Sequence, residues 1–280
     1  MSGGEREARG RDKQSTAALP RTGQQNSGGY GMNAIMRLAR AEIRKLFTTR
    51  AVPVTAAIAA VVAVGSVLID AAVAGHPGQH AMGSITETYQ MLKFGPVVVM
   101  AMLILGILAA GSEFRHRTII PALLTTPQRA RVFAVKVAVI ALFGAVFAAV
   151  IFGLGLGAVA GVLAAHGFHT LPAAVGRMYL GTVIAGACFG MLGVALGAMT
   201  RNTVGAIVAA SGWALFVEVI TLGTVAPSLA KWFPVGASIG LTNPPGPGVL
   251  APAAAGVVLA GYAVAMLAVA SRTTIRRDIG

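Results

Sequence analysis

The chain has a single cysteine, Cys188, in 280 residues. That excludes an intrachain disulfide and any metal site built from several thiolates. Acidic residues are scarce too: nine Asp and Glu stand against 22 Lys and Arg, and charged residues make up only 11% of the chain. With 56% hydrophobic residues and a mean hydropathy of +0.76, there is too little polar side chain to coat a water-soluble globule of this length. Catalytic and nucleotide motifs are also thin. His76, His80, His116, His166 and His169 are scattered, and no HExxH or CxxC pattern occurs. His76 and His80 have the spacing of a helical metal pair, but Pro77 and Gly78 between them oppose a helix. None of Lys13, Lys45, Lys93, Lys136 and Lys231 stands in the G-x-x-x-x-G-K-[ST] frame that cradles phosphates. The reading therefore assigns no catalytic residue, metal or cofactor to this chain.

What the chain has is apolar length. A helix rising 1.5 Å per residue needs about 20 apolar residues to cross roughly 30 Å of hydrocarbon. Six stretches meet or approach this, at 51–74, 94–111, 137–163, 178–199, 204–226 and 249–270. Barrel strands alternate apolar with polar residues, whereas these runs are apolar on every face. The expected fold is an all-α integral membrane protein with six transmembrane helices. The net charge of +13 would suit nucleic acid, but these cations sit between apolar runs and not on a polar surface. A bilayer accounts for them better, and no nucleic-acid partner is expected.

The positions of the cations set the orientation. Arg37, Arg40, Arg44, Lys45 and Arg50 precede the first span, and Arg115, Arg117, Arg129, Arg131 and Lys136 lie between the second and third. Arg201, Arg272, Arg276 and Arg277 fall on the same side, giving 14 cations against Lys93, Arg177 and Lys231 on the other. Both termini and the loop after the second span are expected in the cytoplasm, in a multi-pass protein of the cell membrane.

Residues 1–31, rich in Gly, Ser, Gln and Arg, read as a disordered cytoplasmic tail, with Met32 as an alternative start. In 32–50, Ile35, Met36, Ala39, Ile43, Leu46 and Phe47 recur at helical spacing opposite Arg37, Arg40, Arg44 and Lys45. That pattern predicts an amphipathic helix in the membrane interface, the alternative being a cytosolic extension of the first span. Residues 51–280 form the six-span domain. Trp232 and Phe233 suit the outer interface, in a loop that is either re-entrant or simply anchored.

The segment 112–131 interrupts the hydrocarbon. Phe114, Ile119, Ile120, Leu123 and Leu124 stand among Arg115, His116, Arg117 and Thr118, and Thr126 and Pro127 suit the cap and first turn of a new helix. This reads as a short helix at the cytoplasmic face, starting at Glu113 beyond a second span that ends near Gly111. It serves either as a docking surface for another protein or as a positive anchor alone.

Glu113-Phe114-Arg115-His116, followed by Thr118, Leu123-Leu124, Thr126-Pro127, Arg131 and Lys136, resembles the first cytoplasmic loop of type-2 ABC transporter permeases. Arg40-Ala41-Glu42-Ile43-Arg44-Lys45-Leu46 is similar to that family's elbow helix, and Met199-Thr200-Arg201-Asn202-Thr203 to its tight hairpin. The sequence departs from the pattern at Arg117, where glycine is usual, and at Pro121 within the loop helix. The resemblance implies a permease without an ATP site and an ATPase-docking loop containing Glu113, Phe114, Arg115, Thr118, Leu123, Leu124 and Pro127. It also implies an elbow helix bearing Arg40, Glu42, Arg44 and Lys45. The implied partners are a separate ATP-binding subunit, which would bind ATP and Mg, and a second permease copy.

Within the spans, Gly186, Gly190, Gly193 and Gly197 form one stripe of small residues and Gly153, Gly157 and Gly161 another, which suits close packing within the chain or at a moving or subunit contact. Asp70 lies near the outer end of the first span, and Lys136 is placed to snorkel to the inner interface. Glu218 lies about 12 Å inside the fifth span at 1.5 Å per residue. Three readings of it stay open: lining a cargo path, pairing with Arg177 or Lys231, or local hydration. The leading functional expectation is an ABC permease exporting a hydrophobic or amphiphilic substrate. The alternative is an ATP-independent secondary carrier or a small integral membrane enzyme.

Overall fold

The computed structural model describes residues 27–76, 80–115, 129–200, 202–244 and 246–276, and within these the side chains of 35–76, 80–111, 131–200, 202–220, 223–244 and 246–273. Among the described residues the chain is helical, without strands. Six helices are long and apolar enough to cross a membrane. Span one is Ala51–Val73, span two Ile85–Gly111, span three Arg131–Ala165, span four Val175–Thr200, span five Thr203–Val225 and span six Pro252–Thr273.

The boundaries differ from the sequence reading where polar residues occupy helical turns. Span two gains a short helix, Ile85–Met91, whose start is fixed by Ser84: its Oγ accepts from the Glu87 amide at 3.2 Å. At the other end the helix runs on to Arg115, so Glu113, Phe114 and Arg115 extend span two and do not open a separate segment. Span three belongs to a helix that begins at Arg129. The apolar count alone misses these turns because Glu87, Gln90, Glu113 and the cations near Arg129 lie outside the hydrocarbon-like runs.

Spans two and four form the centre. In each, 67% of the most apolar stretch is buried, against 22% in spans one, five and six. Glycine brings them together. A Cβ on Gly197 would stand 2.7 Å from the Ile107 carbonyl oxygen, and one on Gly106 or Gly193 would collide with the opposing backbone. The same stripe turns to span three at Gly186, where a Cβ would stand 2.6 Å from that of Ala148. The span-four stripe is therefore packed within the chain. Gly157 and Gly161 in span three have open space beside them.

The periphery is apolar as well. Val61, Ile69, Leu142, Val208, Val257 and Val264 are all exposed. In water such a surface would be an aggregation hazard, while in hydrocarbon it carries no penalty. Buried polar groups are satisfied internally: Thr182 donates to the Met178 carbonyl at 2.8 Å and Ser238 to that of Val235 at 2.7 Å. Among the described residues no buried side-chain nitrogen or oxygen lacks a partner.

Ser27–Thr48 is a further helix. From Leu38 onward it belongs to the bundle unit, and residues up to Arg37 fall in a separate one. In the bundle part, Ala39, Glu42 and Leu46 face the core, whereas Ile43 and Phe47 stay exposed with Arg40 and Arg44. The apolar residues expected on one face are thus divided between two.

The segment between spans five and six is not a surface loop. It contains the short helix Pro234–Thr242, which buries Val235, Ala237, Ser238, Gly240, Leu241 and Thr242. Pro234 opens it, a position where the missing N–H costs nothing. Gly181 of span four and Gly240 of this helix allow the close approach, since a Cβ on Gly181 would meet the Leu241 carbonyl.

Candidate functional site

Two polar centres stand out in this apolar molecule. The first joins the amphipathic helix to the ends of spans two and three. The Glu42 carboxylate lies 2.7 Å from the Lys45 ammonium through Oε1 and 3.1 Å from the Lys136 ammonium through Oε2. Lys136 Nζ also donates to the Ala109 carbonyl at 3.4 Å. Glu42 and Lys136 are both buried, while Lys45 remains half-exposed. Lys136 therefore does not snorkel: its position in the helix turns it inward, where Glu42 supplies the countercharge. Burial alone would raise the Glu42 pKa, but the Lys136 and Lys45 charges and their hydrogen bonds outweigh it and hold the carboxyl below its ordinary range. Phe47 adds an edge-on contact with Phe143 of span three, centroids 6.2 Å apart.

Of the elbow residues expected from sequence, Glu42 and Lys45 come together here, whereas Arg40 and Arg44 are exposed. Of the expected docking residues, Glu113, Phe114 and Arg115 continue the span-two helix, with side chains outside the described set. Thr118, Leu123, Leu124 and Pro127 lie outside the described residues. Lys136 was missed as a partner. The available signal was that Glu42 is the sole acid between Asp12 and Asp70.

The second centre is Glu218. Residues Trp213–Leu222 of span five form a π-helix, and the Gly223 amide reaches back five residues to the Glu218 carbonyl. Glu218 is 4% exposed, while its neighbours Leu215, Phe216, Val219 and Ile220 face outward. Its Oε1 accepts from the Trp213 indole Nε1 at 3.0 Å and its Oε2 from the Val235 amide at 2.7 Å. Phe233, the residue before the short helix, provides no side-chain acceptor, so Glu218 fills that role from another element. Its partners are thus neutral N–H groups and not Arg177 or Lys231, and Arg177 donates instead to the Asn243 carbonyl at 3.4 Å.

Beside Glu218 lies a cavity of about 400 Å³, bounded by spans two, four, five and six and the short helix. A second, apolar groove of about 640 Å³ separates span five from spans one and two. A reading for catalytic patterns also misses Gly236-Ala237-Ser238-Ile239-Gly240, which has the G-x-S-x-G spacing of a nucleophile elbow. That chemistry needs an exposed serine on a strand-to-helix turn. Ser238 is buried mid-helix, with its hydroxyl on the Val235 carbonyl. Among the described residues no three His, Cys, Asp or Glu side chains gather as a metal site would require.

Among the described residues, fold and polar centres together give a helical bundle with six helices able to cross a membrane, in which the buried carboxylates of Glu42 and Glu218 fasten helices to one another. The chain matches no protein-family model and no curated protein.

Proposed function

We propose that the chain is the membrane-spanning permease subunit of a type-2 ABC transporter. It lies in the cell membrane with both termini in the cytoplasm and exports a hydrophobic or amphiphilic compound. ATP and Mg are bound by a separate ATPase, and two permease copies complete the pathway. The observation that carries this reading is the Glu42–Lys136 clamp. It ties the helix around Glu42 to spans two and three, and the helices of those spans end at Arg115 and begin at Arg129, on either side in sequence of the basic segment resembling an ATPase-docking loop. Force applied to that segment would reach both spans and, through Glu42, the helix around it. Glycine contacts between spans two and four carry the displacement into the bundle centre. A cycle of this kind requires that nucleotide favour one arrangement by differential free energy.

The test is co-purification with an ATPase encoded beside this chain. Association is expected with the native sequence and should be lost with Phe114→Asp or Leu123→Asp. If no ATPase associates and both variants transport normally, the docking reading fails.

A further inference from the structure

Among the side chains lining the 400 Å³ cavity, Glu218 is the sole charged one. The rest of the wall includes Leu103 of span two, Phe189 of span four, Trp213 of span five, and Tyr262 and Met266 of span six. The volume falls within the roughly 300–1,000 Å³ of small-ligand sites, and the wall composition, mostly apolar with one convergent polar group, is that of such a site.

The surroundings of the Glu218 carboxyl narrow the ligand. Both Glu218 oxygens act as acceptors, one from an indole N–H and one from a backbone N–H. A carboxylate offers about four acceptor positions, so these bonds leave capacity on each oxygen. No cationic side chain lies within ion-pair distance of it among the described residues. When ionised, the Glu218 carboxylate in these apolar surroundings attracts a cation far more strongly than it would in water, because Coulomb energy grows as the effective dielectric falls. Three aromatic rings, Phe189, Trp213 and Tyr262, share the wall, and aromatic faces favour positive charge. Besides Glu218 the lining offers only the Thr200 and Tyr262 hydroxyls, far fewer oxygen ligands than a metal ion takes, which favours an organic cation with apolar bulk.

We infer that this cavity binds lipophilic monocations, with the apolar body against spans two, four and six and the positive centre beside Glu218. That such cations are the exported cargo rests on the transport reading above, whereas their binding does not.

The test is equilibrium dialysis of the purified full-length protein in detergent with three probes: tetraphenylphosphonium, the anion tetraphenylborate, and neutral triphenylphosphine oxide. The native protein should bind tetraphenylphosphonium saturably, at least tenfold more tightly than tetraphenylborate. Glu218→Gln should weaken the cation at least tenfold and leave the neutral probe unchanged. Ala210→Phe, which fills the cavity and leaves Glu218 in place, should abolish saturable binding. Non-saturable uptake by the native protein, equal affinity for both ions, or undiminished cation binding in Ala210→Phe overturns the inference. So does undiminished binding in a folded Glu218→Gln. If Glu218→Gln does not fold, the ion preference and Ala210→Phe decide. Saturable cation binding in a protein that associates with no ATPase keeps the site and removes the transport reading. ATPase-dependent transport without cation binding does the reverse.

Discussion

Glu42 and Lys136 are joined at 3.1 Å, a buried ion pair between a helix that precedes the bundle and the start of span three. Removing one member leaves the other charge buried. A fully broken buried pair costs roughly 3–5 kcal/mol. Lys45 stays on Glu42, so Lys136→Met should cost less, about 2–3 kcal/mol. Glu42→Gln with Lys136→Met together should cost less than the sum of the single changes. Thermal unfolding of the three variants in detergent measures this coupling.

The same centre gives an acid dependence. The Glu42 carboxyl is held below its ordinary range in the folded protein by Lys136 and Lys45, against the opposing effect of burial. A lowered folded value contributes stability that is fully present above the unfolded carboxylate value, about 4.3. It is lost as pH falls through the lower folded value. Melting temperature should therefore drop below about pH 4, and Glu42→Gln should flatten that part of the profile.

Glycines divide by their neighbours. Gly186→Ala would press on Ala148 and the Gly144 carbonyl, at 2.6 and 2.8 Å, and should destabilise by roughly 1–3 kcal/mol. Gly157→Ala meets nothing within 4 Å and should be neutral or stabilising by up to about 1 kcal/mol through helix propensity. Paired melting curves separate the two.

Trp213→Phe keeps the ring and removes the donor on Glu218 Oε1. Loss of a hydrogen bond to this buried acceptor should cost about 1–3 kcal/mol. The measurement is the unfolding midpoint beside that of Trp232→Phe, at a residue that is about as exposed as Trp213 but does not bond Glu218, where stability should change by less than about 0.5 kcal/mol.

The six apolar helices were legible because crossing hydrocarbon demands long apolar runs, and six such runs stand out along the chain. Their ends were less so, since Ser84 and Glu87 start a helix through capping chemistry that an apolar count ignores. Glu218 was visible as an anomaly, yet its partners were not. One is a backbone amide, which carries no residue signature, and the π-helix that turns the side chain inward has none either. Likewise the periodicity of residues 32–50 predicted a helix with one apolar face, whereas the side that meets the bundle is set by Glu42 and by Lys136, distant in sequence. The buried helix Pro234–Thr242 was not legible: the segment read as a loop, either re-entrant or anchored, and its burial rests on Gly181 and Gly240 meeting their neighbours.

The most direct measurement of the central claim is cargo flux in sealed vesicles containing this chain, with and without the proposed ATPase partner and ATP. The account predicts flux with partner and ATP together, and background rates when either is missing. Full-rate movement of the same solute by the chain alone would contradict it.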